Sequence, residues 1–166
     1  MNLVVELDAN GLLPDKYAKF APEEFRQAGM PVVNFPIKIK DVPAETKTLG
    51  ITLIDYDAVP VGGFPWIHWL AANLPVTDVQ EDLAHSSVQY AHGTNSLWHN
   101  EKNNPVITQS YIGPMPPDKT HDYTLSVFAL DTELPVSDGF FLNEFKKAIA
   151  GHILAEAILE LPARSE

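Results

Sequence analysis

Asp55, Asp57, His68, His121 and Tyr123 are the residues whose types and spacing could do chemistry. Asp55-Tyr56-Asp57-Ala58 closes one apolar run, and His68-Trp69 sits inside another. Gly113-Pro114-Met115-Pro116-Pro117 forms a Pro-rich turn just ahead of His121-Asp122-Tyr123. Two carboxylates, two imidazoles and a phenol can hold a small anion, or divide acid and base roles between them. Each has a plainer reading when taken alone. Aspartates often end a strand in a turn, and a histidine within an apolar strand is usually a core residue with its nitrogens bonded.

Geometry sharpens these choices. Asp55 and Asp57 face one side if their strand continues. His68 needs a partner for its ring, and one of those two aspartates would fix its tautomer. His121 and Tyr123, two apart, point the same way on an extended chain. They would then stand beside the amides of residues 113–115. Imidazole N–H, phenol O–H and turn amides converging on one point make an anion site without lysine or arginine.

Other chemistries lack their signatures. His85, His92 and His99 fall in a loop region with no HExxH-type helix, so no metal is expected. G-x-S-x-G, the Walker motif and G-x-G-x-x-G are absent, and no cofactor is expected.

The elements that must position these residues are short and Pro-punctuated. Fourteen prolines and nine glycines are spread along the chain, which favours an all-β or β-rich fold. Leu3 to Leu7 reads as an opening strand, and residues 14–30 as irregular with one helical turn. Phe35 to Lys40 alternates like a half-solvated strand, with Pro36 placing it at an edge. Leu49 to Ile54 reads as a buried strand ending at Asp55, and Pro65 to Leu74 as a second one carrying His68. Residues 75–105 read mostly as loop and Val106 to Ile112 as a short strand. Asp122 to Leu130 reads as a third core strand. Ser137 or Asp138 could cap a helix over about Phe140 to Ile149. After Gly151 the apolar pattern fits a helix face and a strand face equally.

At 166 residues the chain reads as one domain, residues 1–166, with room for a real core. A formal net charge of −11 repels nucleic-acid phosphates and anionic lipid surfaces. No run approaches the ~18 apolar residues of a spanning helix, and the first residues lack a secretory pattern. There is no cysteine. Together these features point to the cytoplasm, with neither nucleic acid nor membrane insertion expected. A homodimer stays open.

As an ordered set, the motifs resemble the phosphatidylethanolamine-binding protein family, the family of the Raf kinase inhibitor protein, and most closely its bacterial branch. Asp55-Tyr56-Asp57-Ala58 is similar to the family's D-P-D-A. His68-Trp69 with Asn73-Leu74-Pro75 resembles H-W…N-x-P, and Gly93-Thr94-Asn95-Ser96 resembles G-x-N-S. Gly113-Pro114-Met115-Pro116-Pro117 with His121 and Tyr123 resembles G-P-x-P-P…H-R-Y, and Gly151 to Ala157 resembles G-H-x-L-A-E-A. The resemblance implies a mainly β fold, a Greek-key antiparallel β-sandwich with a few peripheral short helices, and a strand after Gly151. It further implies a pocket for a small anion, a phosphate-type or carboxylate-like group, lined by Asp55, Asp57, His68, His121 and Tyr123. Backbone groups near Gly113 and Met115 would close one wall. The protein would then bind a ligand and modulate a protein partner. The alternatives are a hydrolase or lyase using the same His/Asp set, and an interaction protein with a vestigial pocket. Tyr56 stands where the family usually has Pro, and Asp122 where it has Arg. Asp122 should point away from His121 and Tyr123, leaving the pocket intact.

Overall fold

The apolar runs around residues 48–55, 66–74 and 121–130 become the central strands of one antiparallel sheet. The computed structural model describes residues 1–166. In chain order the strands are β1 (Asn2–Val4), β2 (Arg26–Gln27), β3 (Met30–Pro31), β4 (Lys38–Lys40), β5 (Thr48–Asp55), β6 (Trp66–Leu74), β7 (Ala91–His92), β8 (His121–Leu130) and β9 (Ile153–Ala163). The helices are short: α1 (Val59–Gly62), α2 (Trp98–Glu101), α3 (Pro105–Thr108) and α4 (Leu142–Ala148).

The five-stranded sheet has the order β7-β6-β5-β8-β9. β5, β6 and β7 run consecutively, and β8 returns by a long connection to lie beside β5. That is the Greek-key order. Two-stranded sheets, β1 with β4 and β2 with β3, contribute to the second layer. The fold is mainly β with a few short helices.

Period-2 alternation divides the core between the two faces of the sheet. Leu49, Ile51, Leu53, Trp69, Leu125 and Val127 pack with Leu13, Tyr17, Val33, Phe35 and Ile37 of the N-terminal layer. Leu70, Ala72, Phe128 and Leu130 pack with Phe140, Phe145 and Ile149 of the α4 region.

Several local expectations are corrected. Val106 to Ile112 is not a strand: Pro105 opens the helical turn α3, and Ile107 anchors it beside Val32 and Ile112. Pro is well placed at a first helical position, where its missing N–H costs nothing. The C-terminal helix is shorter than Phe140–Ile149. Neither Ser137 nor Asp138 caps it; the Phe141 N–H donates to Glu144 instead, at 2.8 Å, and Asp138 accepts from the His92 amide at 2.9 Å. Of Phe35–Lys40 only Lys38–Lys40 pairs as a strand, and β1 stops at Val4. Residues 14–30 hold two 3₁₀ turns, Asp15–Tyr17 and Glu23–Phe25, before a small hairpin. The segment after Gly151 is extended as β9, at the sheet edge, where Pro162 needs no amide partner and accepts from Leu13 at 2.7 Å.

Candidate functional site

Asp55 is the last residue of β5 and lies directly opposite Tyr123 of β8 and Trp66 of β6. The candidate site is built around this end of the sheet. Asp55 is 3% exposed. One oxygen accepts the Ala58 N–H at 3.0 Å and the other accepts His121 Nδ1–H at 2.8 Å. The first bond folds the chain into α1, which ends at Gly63 with φ of 87° and carries the pocket rim.

A β-bulge delivers His68. Leu53 pairs with Trp69 but Ile54 pairs with Ile67, leaving His68 as the extra residue. Bulges re-aim side chains. Strict alternation would put His68 on the face of Leu70 and Ala72. Instead its ring stands edge-on to Tyr123, with centroids 5.0 Å apart. Its partner is not an aspartate, contrary to expectation: His68 Nδ1 lies 2.8 Å from the Ile112 carbonyl oxygen. A carbonyl only accepts, so Nδ1 carries the proton and the neutral ring leaves Nε2 as a lone pair. The Ile112 N–H in turn donates to the His68 carbonyl at 2.9 Å. Burial pushes the His68 pKa down from 6.5 to about 4, against the opposing pull of the Ile112 carbonyl and the Asp55 charge.

His121 behaves oppositely. Its Nε2 lies 2.9 Å from Asp118, so both ring nitrogens face carboxylates. Burial pulls its pKa down, but the bonds to Asp55 and Asp118 outweigh burial and raise it. An acceptor at each nitrogen favours the imidazolium form of the ring. Tyr123 is buried beside Asp55 and the Met115 backbone amide, and burial followed by the Asp55 charge pushes its phenol well above the usual range. It therefore stays protonated.

Asp55, His68, His121 and Tyr123 form the polar floor of a cavity of about 260 Å³. Val61, Phe64, Trp66, Leu97, Met115 and Pro117 form much of its apolar wall. Phe64 stacks on Trp66 with centroids 6.0 Å apart and stays 45% exposed. No lysine or arginine lines the cavity. No group of three or more His, Cys, Asp or Glu is arranged to hold a metal ion.

One residue expected at the site sits elsewhere. β5 ends at Asp55, so Asp57 does not share its face; it accepts the Asp122 N–H at 3.1 Å, outside the cavity lining. The Gly113 amide is engaged with the Pro31 carbonyl at 2.8 Å, while the Gly113 backbone also lies against the His68 ring. Gly113 is a packing position: a Cβ there would lie 2.3 Å from the Tyr17 carbonyl oxygen. Gly113→Ala is expected to destabilise the fold by about 2 kcal/mol, as overpacking does, read as a lowered urea midpoint with unchanged slope. An unshifted midpoint would mean the turn is looser than drawn. Asp122 is exposed between buried His121 and Tyr123, so it does point away. Asp118 was not anticipated. Its position three residues before His121 in the spacer after Pro117 is the signal that could have found it.

A family model described as phosphatidylethanolamine-binding protein matches residues 6–163. A Bacillus subtilis protein, uncharacterized protein YxkA, is 47% identical, covering 99% of both chains. A UPF0098 protein of Chlamydia muridarum is 31% identical over 86% of this chain and 89% of its own. Among solved structures, a putative phosphatidylethanolamine-binding protein homolog from Chlamydia trachomatis superposes with a TM-score of 0.79 at 26% identity. It covers 99% of this chain and 97% of its own. E. coli YbcL, described as a new member of the mammalian PEBP family, shares the fold with a TM-score of 0.76 at 21% identity, covering 99% and 98%.

Proposed function

The chain belongs to the phosphatidylethanolamine-binding protein family, and from that premise we propose that its cavity binds the oxyanion end of a small ligand. The observation that carries this is the buried His121 ring, set between two carboxylates with its outer nitrogen covered only by Asp118. The Asp118 side chain is 53% exposed. An incoming phosphate-type or carboxylate-like oxygen takes the place of Asp118 at Nε2–H, and the rim of Val61, Phe64 and Trp66 receives the ligand's apolar remainder. A buried polar floor under an apolar wall is the usual make-up of a small-molecule site. Asp57 supports the wall from outside, and the Gly113 backbone faces the His68 ring. A protein partner, if one is modulated, would sense the rim.

The test is a titration with inorganic phosphate followed by amide and side-chain NMR. Phosphate is expected to shift Met115, His121 and Tyr123. Asp118→Asn removes the competing charge and is expected to tighten binding severalfold. No shift at these residues in either protein, at any concentration up to precipitation, would overturn the reading.

A further inference from the structure

His68 presents a lone pair to the cavity rather than a proton. Its Nδ1–H is committed to the Ile112 carbonyl at 2.8 Å. Nε2 has no protein partner, yet no buried side-chain nitrogen or oxygen lacks one. Nε2 is therefore reached from the cavity that His68 lines. The groups facing this ring are Asp55, His121, Tyr123 and the backbone of Ile112 and Gly113. None of them supplies a hydrogen to Nε2. A fully ionised oxyanion has only lone pairs and would meet this nitrogen repulsively. A ligand with one acidic hydrogen left would donate it there and offer its charged oxygens to His121.

We infer that the site selects an oxyacid still carrying one proton, such as a phosphomonoester monoanion, over a phosphodiester or a dianion, with His68 Nε2 accepting the P–OH. This rests on the oxyanion reading above and adds to it a chemical class. It makes His68 a specificity-determining residue acting as an acceptor. The low proton affinity of a buried imidazole fits the role, because the ring stays neutral over the range in which a phosphomonoester takes up its second proton, near pH 6.

The experiment compares phenyl phosphate, methyl phenyl phosphate and inorganic phosphate at pH 5.5 and 8, on wild type and His68→Asn. His121 deprotonation weakens all of them, so the ratio of monoester to diester affinity is the readout. The ratio is expected to favour phenyl phosphate by about tenfold at pH 5.5, as a site with a committed polar partner rejects an analogue that cannot pair with it. The preference should fall towards unity at pH 8. His68→Asn keeps an N–H for Ile112 and removes the acceptor, so the ratio of monoester to diester affinity should fall to about one at both pH values, whatever happens to the affinities themselves. Phenyl phosphate binding more tightly than inorganic phosphate assigns an organic monoester, and the reverse order assigns free phosphate; either supports the inference. Independently of any variant, the imidazole ¹⁵N spectrum of the wild-type protein at pH 6 should show His68 as the neutral Nδ1–H tautomer. A protonated Nε2, or a diester bound as tightly as the monoester at pH 5.5, overturns the inference and leaves oxyanion binding standing. Failure of all three ligands to bind overturns both.

Discussion

Asp55→Ala will lower the stability of the fold by about 3–5 kcal/mol, the range for removing one partner of a buried ion pair. The carboxylate is the acceptor for the Ala58 amide and His121 Nδ1–H and lies beside the Tyr123 hydroxyl. Alanine leaves the imidazole, fully buried at its side chain, without its inner acceptor. It also frees the start of α1, since the Ala58 bond is what turns the chain after β5. Urea denaturation at pH 6 checks the value. Asp55→Asn is the companion: its carboxamide oxygen accepts one bond but carries no charge, so the cost should be smaller. The His121 pKa, followed by NMR, should fall in that variant. A loss below ~1 kcal/mol for alanine would mean that water replaces the carboxylate without penalty.

The second large effect is a loss of stability in mild acid. Folding takes the His68 pKa from 6.5 to about 4, so the unfolded chain binds that proton more tightly than the folded one. The stabilisation from keeping His68 neutral is complete above about pH 6.5 and is lost as pH falls towards 4. Two and a half pH units at ~1.4 kcal/mol each give about 3.5 kcal/mol in all, most of it lost by pH 4. His121 acts in the other direction. Its pKa is raised on folding, so its contribution is complete below about pH 6.5 and fades as pH climbs through its folded value. Stability should therefore pass through a maximum near neutrality. The carboxylates whose pKa values fold downward, Asp8, Glu81 and Asp118, act lower, from about pH 4.5. The difference between wild type and His68→Asn isolates the histidine. An acid limb of equal steepness in both proteins would assign the loss to those carboxylates instead.

The two histidines mark how far the sequence could be read. Asp55 and Tyr123 could be placed at strand ends because the apolar runs of β5 and β8 end and begin beside them; that they lie opposite one another came only from the pairing. Five motifs in order made the Greek key legible, since order along the chain is what the resemblance carries. His68 was legible as a candidate residue but not in its partner. The run Trp66-Ile67-His68-Trp69 shows no turn or break, and a bulge in it is a property of the pairing with β5, not of the run itself. Asp57 was misplaced for a related reason: two-residue spacing implies one face only while the strand lasts, and β5 stops at Asp55. The 106–112 segment misled because a short apolar run carries the same signal in a strand and in a buried helical turn, and Pro105 was the deciding residue. Asp118 lies in a spacer with no period at all, and its pairing depends on how the turn after Pro117 folds back.

The absence of lysine and arginine from the cavity also has a calorimetric consequence. Long flexible cations lose up to about 2 kcal/mol of rotamer freedom when a ligand fixes them. In the proposed binding mode the groups that would meet the ligand are already held by hydrogen bonds in the free protein. His121 is wedged between Asp55 and Asp118, His68 is clasped through both backbone groups of Ile112, and Met115 contributes its main chain. Only Asp118 has to move, and it gains freedom by doing so. Occupancy should leave the motional disorder of the protein nearly unchanged, so that affinity among small ligands tracks bond enthalpy and the release of cavity water.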